Sequence, residues 1–545
     1  MKRLVLILTS LITIPSFAQQ SSDPATNATT KPKSTLIKSQ NNSDSQMKRL
    51  ATEDKVSADN AFKMGDYNLA LALYLDELSK KPEDNDIRVR LGQCYLETDI
   101  KKSNAIEYFE YAASHGYKNN LISLYLGKAY LYAERFDEAI SKFNEYKTLE
   151  SKKQENVAIV EKLIADCNFA KQLKAHPINV TIQNMGDVIN STKTDNMPLV
   201  APDESSLILN SNRYFSQDYG EYLWDILISE NKNNKWKKAH SISTKINTIE
   251  NEYVVGASPD MESILIRPET YTNSGNLSIS QLISKKYETP ELLPDIINYP
   301  KDIETAGCLT ANGDTLFFSS NRAGGLGGFD IYYSIRIGNS WGIPQNLGPS
   351  INTSKDDDYP NIMSDGKTLY FASEGYNGMG GFDIYKSTLN LQTREWNKPQ
   401  NIGYPINTTY DDYNISFTVN PRYAYVAQVK DEGMGEYDIY RAVFNDIEAP
   451  IITYTGKIAI GDTATAKPLM EFSSKNSIKV FEKKTGNLIG QYSMTKDSRY
   501  AISLTPGNYS LEIEAEGIEK YKKTINIADK QLENSVVTND IYIKH

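Results

Sequence analysis

The sequence predicts a multidomain protein with α-helical repeats first, then a five-bladed β-propeller, and then a small β-sandwich. Two periodicities carry this prediction. Ala70, Ala105 and Ala139 recur 35 and 34 residues apart within a helical hydrophobic pattern. The octapeptide at 327–334 (GGFDIYYS) returns at 380–387 (GGFDIYKS), 53 residues later. A fixed period of this length indicates a repeat architecture.

The composition excludes one class of function before any motif is considered. The chain has 545 residues, a net charge of -10 and a sequence pI of about 5.3. No basic cluster stands out, so no nucleic-acid surface is expected. The length predicts several domains, and the 36 tyrosines favour short strands.

The N-terminal residues predict an export signal followed by a tether. A basic start precedes an apolar run of 11 residues at 4–14, and small residues follow at 15–18. Residues 1–18 are interpreted as a signal peptide, with a cytosolic amphipathic start as the alternative. The run is too short to span a bilayer, and no transmembrane span is expected elsewhere. Residues 19–52 are polar and predict a disordered tether, because they bury too little apolar surface.

Helical periodicity extends over residues 53–175, in three units and a capping helix at about 155–173. Small residues stand where two helices cross, and large residues such as Phe109 and Phe143 fill the gaps. This pattern resembles the tetratricopeptide repeat, whose unit has 34 residues. A generic helical bundle is the alternative.

The resemblance implies a groove lined by the inner helices, and a peptide or a partner helix as its ligand. The positions beside the small residues would face this groove. They are Gln93, Leu96, Lys128 and Leu131. These four residues are the candidate partner-binding residues.

Residues 178–447 predict five units of four short strands, which is the pattern of a β-propeller. Ile-Asn pairs introduce the units. They stand at 189–190, 246–247, 297–298, 351–352 and 406–407. The last unit lacks an outer strand of its own, and residues 180–186 are expected to supply it and close the ring. The pattern resembles the TolB-type, WD40-like propellers of bacterial envelope proteins.

Residues 450–545 alternate between apolar and polar positions without the propeller period, which predicts a small β-sandwich. A strand, Pro506-Gly507, Tyr509 and another strand follow one another. This order resembles the carboxypeptidase regulatory-like domain, a transthyretin-type sandwich. A generic immunoglobulin-like sandwich is the alternative.

No catalytic constellation is predicted. Residues 338–342 fit the pattern G-x-S-x-G around Ser340, but a nucleophile elbow needs a helix after the serine, and Pro344 and a strand follow here. We therefore expect a hairpin leading into an outer strand. The histidines show no catalytic or zinc-binding pattern. They are His115, His176, His240 and His545.

Metal ligands and cofactors are not expected either. Cys94, Cys167 and Cys308 are interpreted as buried small hydrophobes, with a Cys94–Cys167 disulfide as the alternative. Four aspartates recur before Ile, and they are interpreted as caps for neighbouring loops rather than as calcium ligands. They are Asp225, Asp330, Asp383 and Asp438. The acidic loops at 356–358 and 411–412 are expected to be solvated, with cation binding as the alternative.

The whole order of domains resembles the PorE-type family of Bacteroidota envelope proteins, which are associated with type IX secretion and gliding. Members typically add a C-terminal OmpA-like domain that binds peptidoglycan. This sequence reaches His545 without one, so peptidoglycan contact is expected to be at most indirect. The resemblance implies an exported, periplasmic, outer-membrane-associated scaffold. Its partners would be envelope proteins or peptides that bind the repeat groove and one propeller face. The alternative is a propeller that senses cell-wall glycan or calcium.

Overall fold

A computed structural model describes most of the chain. The described residues are 36–37, 57–99, 101–217, 220–232, 235–269, 275–447, 452–461, 467–468, 477–495, 497–505, 507–515, 518–527 and 536–543. The predicted signal peptide lies outside them. Within the predicted tether they include only β1 (Leu36–Ile37), which pairs with Phe215 and Ser216. The chain divides into two compact units, residues 1–164 with 212–223 and residues 165–211 with 224–545.

The N-terminal region is helical, as predicted. Its helices are α1 (Ala58–Lys63), α2 (Tyr67–Lys80), α3 (Asn85–Glu97), α4 (Ala105–Ser114), α5 (Leu121–Tyr132), α6 (Phe136–Leu149) and α7 (Gln154–Ala175). Asp66 and Asp84 cap two of them, since their carboxylates accept the free N–H groups of Leu69 and Ile87 at 3.0 and 3.1 Å. Gly65 and Gly116 have positive φ angles in the turns that follow α1 and α4.

The helices pack through small residues at their crossing points. Ala70, Ala105 and Ala139 are fully buried. A Cβ atom on Gly92 or Gly127 would lie within 2.5 Å of the ring of Phe109 or Phe143. The two glycines therefore let the inner helix of each pair approach the aromatic ring of its partner closely.

Five curled sheets follow, each built from consecutive strands. The first contains β3 (Asp195–Val200), β4 (Ser206–Ser216), β5 (Glu221–Lys232), β6 (Lys235–Trp236) and β7 (His240–Ser241), and the second contains β8 (Asn251–Ala257), β9 (Ser263–Glu269), β10 (Ser278–Ile283), β11 (Lys286–Tyr287) and β12 (Glu291–Leu292). The third contains β13 (Glu304–Leu309), β14 (Thr315–Ser320), β15 (Asp330–Ile337), β16 (Ser340–Trp341) and β17 (Gln345–Asn346). The fourth contains β18 (Asp357–Ile362), β19 (Thr368–Ser373), β20 (Asp383–Thr388) and β21 (Gln400–Asn401), and the fifth contains β22 (Ile415–Phe417), β23 (Tyr423–Gln428) and β24 (Asp438–Phe444).

The ring closes through the strand that precedes the first blade. Strand β2 (Val180–Asn184) pairs antiparallel with β24, with Val180 opposite Phe444 and Asn184 opposite Tyr440. The predicted origin of the fifth outer strand is therefore confirmed. Pairing the two ends of the ring leaves neither as a free sheet edge.

Side-chain hydrogen bonds join each blade to the next around the ring. Asn210 donates to Val254 O, Arg267 to Thr305 O, Thr305 to Asp358 Oδ1, Asn361 to Ile415 O and Asn414 to Pro198 O, at 2.7–3.2 Å. The last of these bonds links the fifth blade back to the first.

The C-terminal region is a two-sheet sandwich, as predicted. One sheet contains β25 (Ile452–Ile460), β26 (Lys467–Pro468), β29 (Arg499–Leu504), β32 (Val536–Thr538) and β33 (Ile541–Ile543). The other contains β27 (Ser477–Glu482), β28 (Leu488–Ser493), β30 (Gly507–Ala515) and β31 (Ile518–Ile527). Ile458, Ile478 and Ile502 are fully buried between them. The predicted limits of the individual domains stay predictions.

Candidate functional site

The candidate partner-binding site is a polar surface on two neighbouring inner helices of the repeats. It consists of Arg90, Gln93 and Glu97 of α3 with Tyr125 and Lys128 of α5, and is called here the inner-helix surface. Residues three or four apart share one face of a helix, which places each set on a single side. Arg90 is exposed and the other four are half-buried.

Hydrogen bonds fix several of these side chains. Arg90 Nη1 donates to Gln93 Oε1 at 3.2 Å, and Gln93 Nε2 donates to the Tyr125 hydroxyl at 2.8 Å. Burial raises the pKa of Tyr125, so its hydroxyl stays neutral. A surface ordered in this way loses less side-chain entropy when a partner binds.

Lys128 is a half-buried charge on the inner-helix surface. Within the described part of the chain, its ammonium has neither a hydrogen-bond nor an ion-pair partner. Burial lowers the pKa of Lys128, Glu97 acts in the opposite direction, and Lys102 lowers it further. A partly desolvated cation of this kind favours an anionic or carbonyl group from a binding partner.

The structure separates the four predicted groove residues into two pairs. Gln93 and Lys128 lie on the inner-helix surface, and their contact with a partner stays a prediction. Leu96 and Leu131 are only 7% and 3% exposed. Both leucine side chains pack into the core, because each lies six residues from Arg90 or Tyr125, about 120° around the helix. Their contact with a partner also stays a prediction.

Arg90, Glu97 and Tyr125 are residues that the sequence pattern did not single out. Each is three or four residues from Gln93 or Lys128, so helical spacing alone would have indicated them. The four predicted positions are adjacent in sequence to the small residues. Adjacent residues point in different directions on a helix, so this criterion does not identify residues that share one face.

In the propeller, the recurrent aspartates cap their own loops. Asp330 accepts hydrogen bonds from the backbone N–H groups of Leu326 and Gly327 at 2.5 and 3.0 Å. Asp383 and Asp438 accept the equivalent bonds in their blades. The predicted structural role is confirmed for these three, and for Asp225 it stays a prediction. Because N–H donors occupy the oxygens, these carboxylates are poorly placed to bind a cation.

The expectation that both acidic loops are solvated was wrong. Asp357, Asp358 and Asp412 are buried. Asp357 starts the inner strand of its blade and accepts the N–H of Thr353 at 2.5 Å and its hydroxyl at 2.9 Å. Asp412 accepts the same pair of bonds from Thr408. Burial raises the pKa of Asp357 to about 7 and that of Asp412 well above its usual range.

Ser340 lies in the predicted hairpin. It is opposite Ile337 in the β15–β16 pair and is followed by Trp341 in the same strand. The prediction of a hairpin is confirmed, and the helix that a nucleophile elbow requires is replaced by a strand.

The potential metal ligands are dispersed in the described part of the chain. Among those residues, no group of three or more His, Cys, Asp or Glu side chains is arranged to hold a metal ion. Cys94, Cys167 and Cys308 are buried and unpaired, which excludes the Cys94–Cys167 disulfide. Burial raises the pKa of each thiol to about 12.

Where the structure describes the chain, none of its helices combines the length and the apolar character that crossing a bilayer demands.

Comparisons with known proteins assign a family only to the helical region. No curated protein matches the sequence. The solved structures that it resembles include the α-L-arabinofuranosidase PaAbf62A from Podospora anserina, with 10% identity, a TM-score of 0.32 and coverage of 48% of this chain and 93% of that one. They also include a complex of BT0996 and a glycoside hydrolase, with 9% and 10% identity, TM-scores of 0.36 and 0.35, and coverage of 51% of this chain and 96% of each. Similarity this low carries no argument about activity.

Residues 56–113 and 101–152 match the tetratricopeptide repeat family, so the N-terminal helices are tetratricopeptide repeats rather than a generic bundle.

Proposed function

We propose that this protein is a non-enzymatic adaptor of the bacterial envelope. Tetratricopeptide repeats imply protein–protein interaction. The observation that supports a binding role most directly is the Lys128 ammonium on the ordered inner-helix surface, for which the described residues provide no hydrogen-bond or ion-pair partner. A partner segment that brings a carboxylate or carbonyl oxygen to Lys128 would gain a charge-assisted hydrogen bond.

The cellular setting is part of the proposal. The basic and apolar start of the sequence supports export to the periplasm, and the domain order supports a place beside the outer membrane. We propose the type IX secretion or gliding apparatus as the assembly, on the resemblance to PorE-type proteins. Repeats and propeller on one chain would hold two partners at high effective concentration.

The propeller is the second platform in this proposal. Hydrogen bonds join each blade to the next, from that of Asn210 in the first blade to that of Asn414 in the fifth, and so close the ring. A closed ring is suited to be a rigid support. The alternative of a calcium-sensing propeller is less well supported, because both carboxylate oxygens of Asp330 and of Asp438 already accept N–H donors.

Co-purification of the full-length chain from envelope extracts tests the binding role. We expect Lys128→Glu to lose a protein that the wild-type chain retains, because the variant repels the anionic group that Lys128 would bind. Lys81→Glu is the matched control, since Lys81 is exposed at the end of α2. Equal recovery of the same proteins with both variants would contradict a role for the inner-helix surface.

A further inference from the structure

The last strands of the first blade carry a concentration of positive charge. Four exposed lysines occur within seven residues, and an exposed histidine follows. They are Lys232, Lys235, Lys237, Lys238 and His240. These five residues are called here the basic hairpin. It corrects the expectation from the sequence that the chain has no basic cluster.

Most of this charge is not neutralised by the protein itself. Lys232 forms an ion pair with Glu230 at 2.9 Å. Lys235, Lys237 and Lys238 have no ion-pair partner among the described residues. Glu230 also interacts electrostatically with Lys237 and His240, which offsets part of the charge. In a chain whose net charge is -10, the remaining lysine charge forms a local field of the opposite sign.

The basic hairpin is held in place by its own blade and by the fifth blade. Trp236 packs edge-on against Tyr425, with 6.0 Å between the ring centroids. The backbone N–H of Lys237 donates to Glu230 O at 2.8 Å, and the Ser229 hydroxyl donates to Lys237 O at 2.5 Å. Lys235 therefore projects from an ordered strand, and Lys237 and Lys238 follow in a segment that the backbone bonds of Lys237 fix to the blade.

The other blades show that the fold does not require these lysines. An aromatic residue recurs at the position of Trp236, as Tyr287, Trp341 and Trp396. The residues that flank it differ from blade to blade: they are Lys286 and Glu288, Ser340 and Gly342, and Glu395 and Asn397. The blade needs the aromatic anchor, whereas only the first blade surrounds it with lysine.

We propose that the basic hairpin is a docking surface for the anionic headgroups of a lipid bilayer. Lysine acts as a point charge that suits many phosphate groups on a surface, whereas a specific carboxylate is bound best by the planar fork of arginine. The basic hairpin contains no arginine and lies at the outer edge of its sheet. The exposed side chains of Lys235, Lys237 and Lys238 present several charges within one short segment, which suits the many headgroups of a broad anionic surface. This inference does not rest on the inner-helix surface.

The basic hairpin is expected to bind an anionic membrane with modest affinity. A lysine near an anionic membrane contributes roughly fivefold to binding, or about 1 kcal/mol. Loss of Lys235, Lys237 and Lys238 together is therefore expected to weaken binding on the order of 100-fold. Salt is expected to abolish it, because the screening length falls from about 10 Å at 0.1 M to about 3 Å at 1 M.

Co-sedimentation of the full-length chain with vesicles tests the proposal. The vesicles contain phosphatidylcholine alone, or phosphatidylcholine with phosphatidylglycerol. We expect binding to the anionic vesicles only, and its loss in K235Q/K237Q/K238Q. The charge-matched control K81Q/K483Q/K484Q changes three exposed lysines elsewhere and is expected to bind like the wild type. Equal loss in both triple variants, or equal binding to both kinds of vesicle, would overturn the proposal.

A second arm separates lipid from an acidic protein partner. Fluorescent poly-glutamate is titrated with the same three proteins. If the wild-type chain binds poly-glutamate through these lysines but does not bind anionic vesicles, the surface serves an acidic polypeptide and the lipid proposal is wrong. Unchanged tryptophan fluorescence of the triple variant would show that the propeller remains folded.

Discussion

Asn190 and Ile439, 249 residues apart, are joined by a pair of hydrogen bonds. Asn190 Nδ2 donates to Ile439 O at 3.0 Å, and the Ile439 N–H donates to Asn190 Oδ1 at 2.8 Å. The same pair of bonds joins Asn247 to Ile226, Asn298 to Leu277, Asn352 to Ile331 and Asn407 to Ile384. Only the bond pair of Asn190 connects the two ends of the ring.

The first prediction concerns this closing contact. We expect Asn190→Ala to lower the free energy of unfolding of the propeller by about 1–3 kcal/mol, because the buried Ile439 N–H loses its partner, whereas Ile439 O still accepts the N–H of Met185 at 3.1 Å. All four tryptophans lie between 224 and 396, so their fluorescence during chemical denaturation reports on the propeller. Asn339→Ala, at an exposed hairpin tip, is the matched control. A loss no larger than that of the control would contradict the role of Asn190 in closure.

The second prediction concerns helix packing in the repeats. We expect Gly127→Ala to destabilise the helical region by up to about 2 kcal/mol, because overpacking against Phe143 costs about 1–3 kcal/mol and the gain in helix propensity offsets about 1 kcal/mol of it. Thermal melting followed by far-UV circular dichroism measures this loss, with the exposed Ser141→Ala as control. In a double-mutant cycle, Phe143→Leu is expected to reduce the cost of the alanine. If the losses of stability caused by the two substitutions are strictly additive, the two positions are not in contact.

Sequence periodicity was enough to predict the parts that recur. The spacing of Ala70, Ala105 and Ala139 predicted the helical pairs, and the Ile-Asn echo predicted that β2 completes the fifth blade. Contacts that occur once were not predictable in this way. The edge-on packing of Trp236 against Tyr425 joins the first blade to the fifth and repeats no local pattern.

Prediction from the sequence also failed where the burial of a side chain depended on a nearby hydrogen-bond partner. From the sequence, Asp357 is predicted to lie in a solvated acidic loop, because a run of aspartates is usually solvated. Its burial depends on Thr353, four residues earlier, whose N–H and hydroxyl it accepts. Comparison with Thr408 and Asp412, which have the same spacing, was the signal that would have revealed it.

The third prediction is a pH dependence of stability that arises from Asp357. Burial raises the pKa of Asp357 to about 7, whereas an aspartate in the unfolded chain has a pKa of about 3.9. The folded state therefore binds the proton more tightly, and the contribution to stability is full below pH 4 and is lost as the pH rises through 7. The side chain of Asp357→Asn cannot ionise.

We therefore expect the free energy of unfolding of the wild type to fall relative to Asp357→Asn between pH 5 and pH 8, by at most about 1.4 kcal/mol per pH unit. Denaturation curves monitored by tryptophan fluorescence at several pH values provide the comparison. Asp295→Asn, at an exposed site, removes one carboxylate and controls for net charge. A difference between wild type and Asp357→Asn that does not change with pH would contradict the buried-acid interpretation.

The fourth prediction concerns the cysteines. Burial raises the pKa of all three thiols to about 12, so almost no thiolate forms at pH 8. We expect a disulfide reagent such as Ellman's to modify none of the three in the folded protein within minutes, and all three after denaturation. Rapid modification of one thiol in the folded protein would show that its helix or strand opens.

The central claim is that the repeats of this chain bind a protein partner through the inner-helix surface. Photo-crosslinking in intact cells tests it most directly, with p-benzoylphenylalanine at position 93 or 128, and at the exposed position 141 of α6 as control. We predict one discrete crosslinked species of higher mass from positions 93 and 128, and none from position 141. Free monomer from all three positions, or the same species from position 141, would contradict the claim.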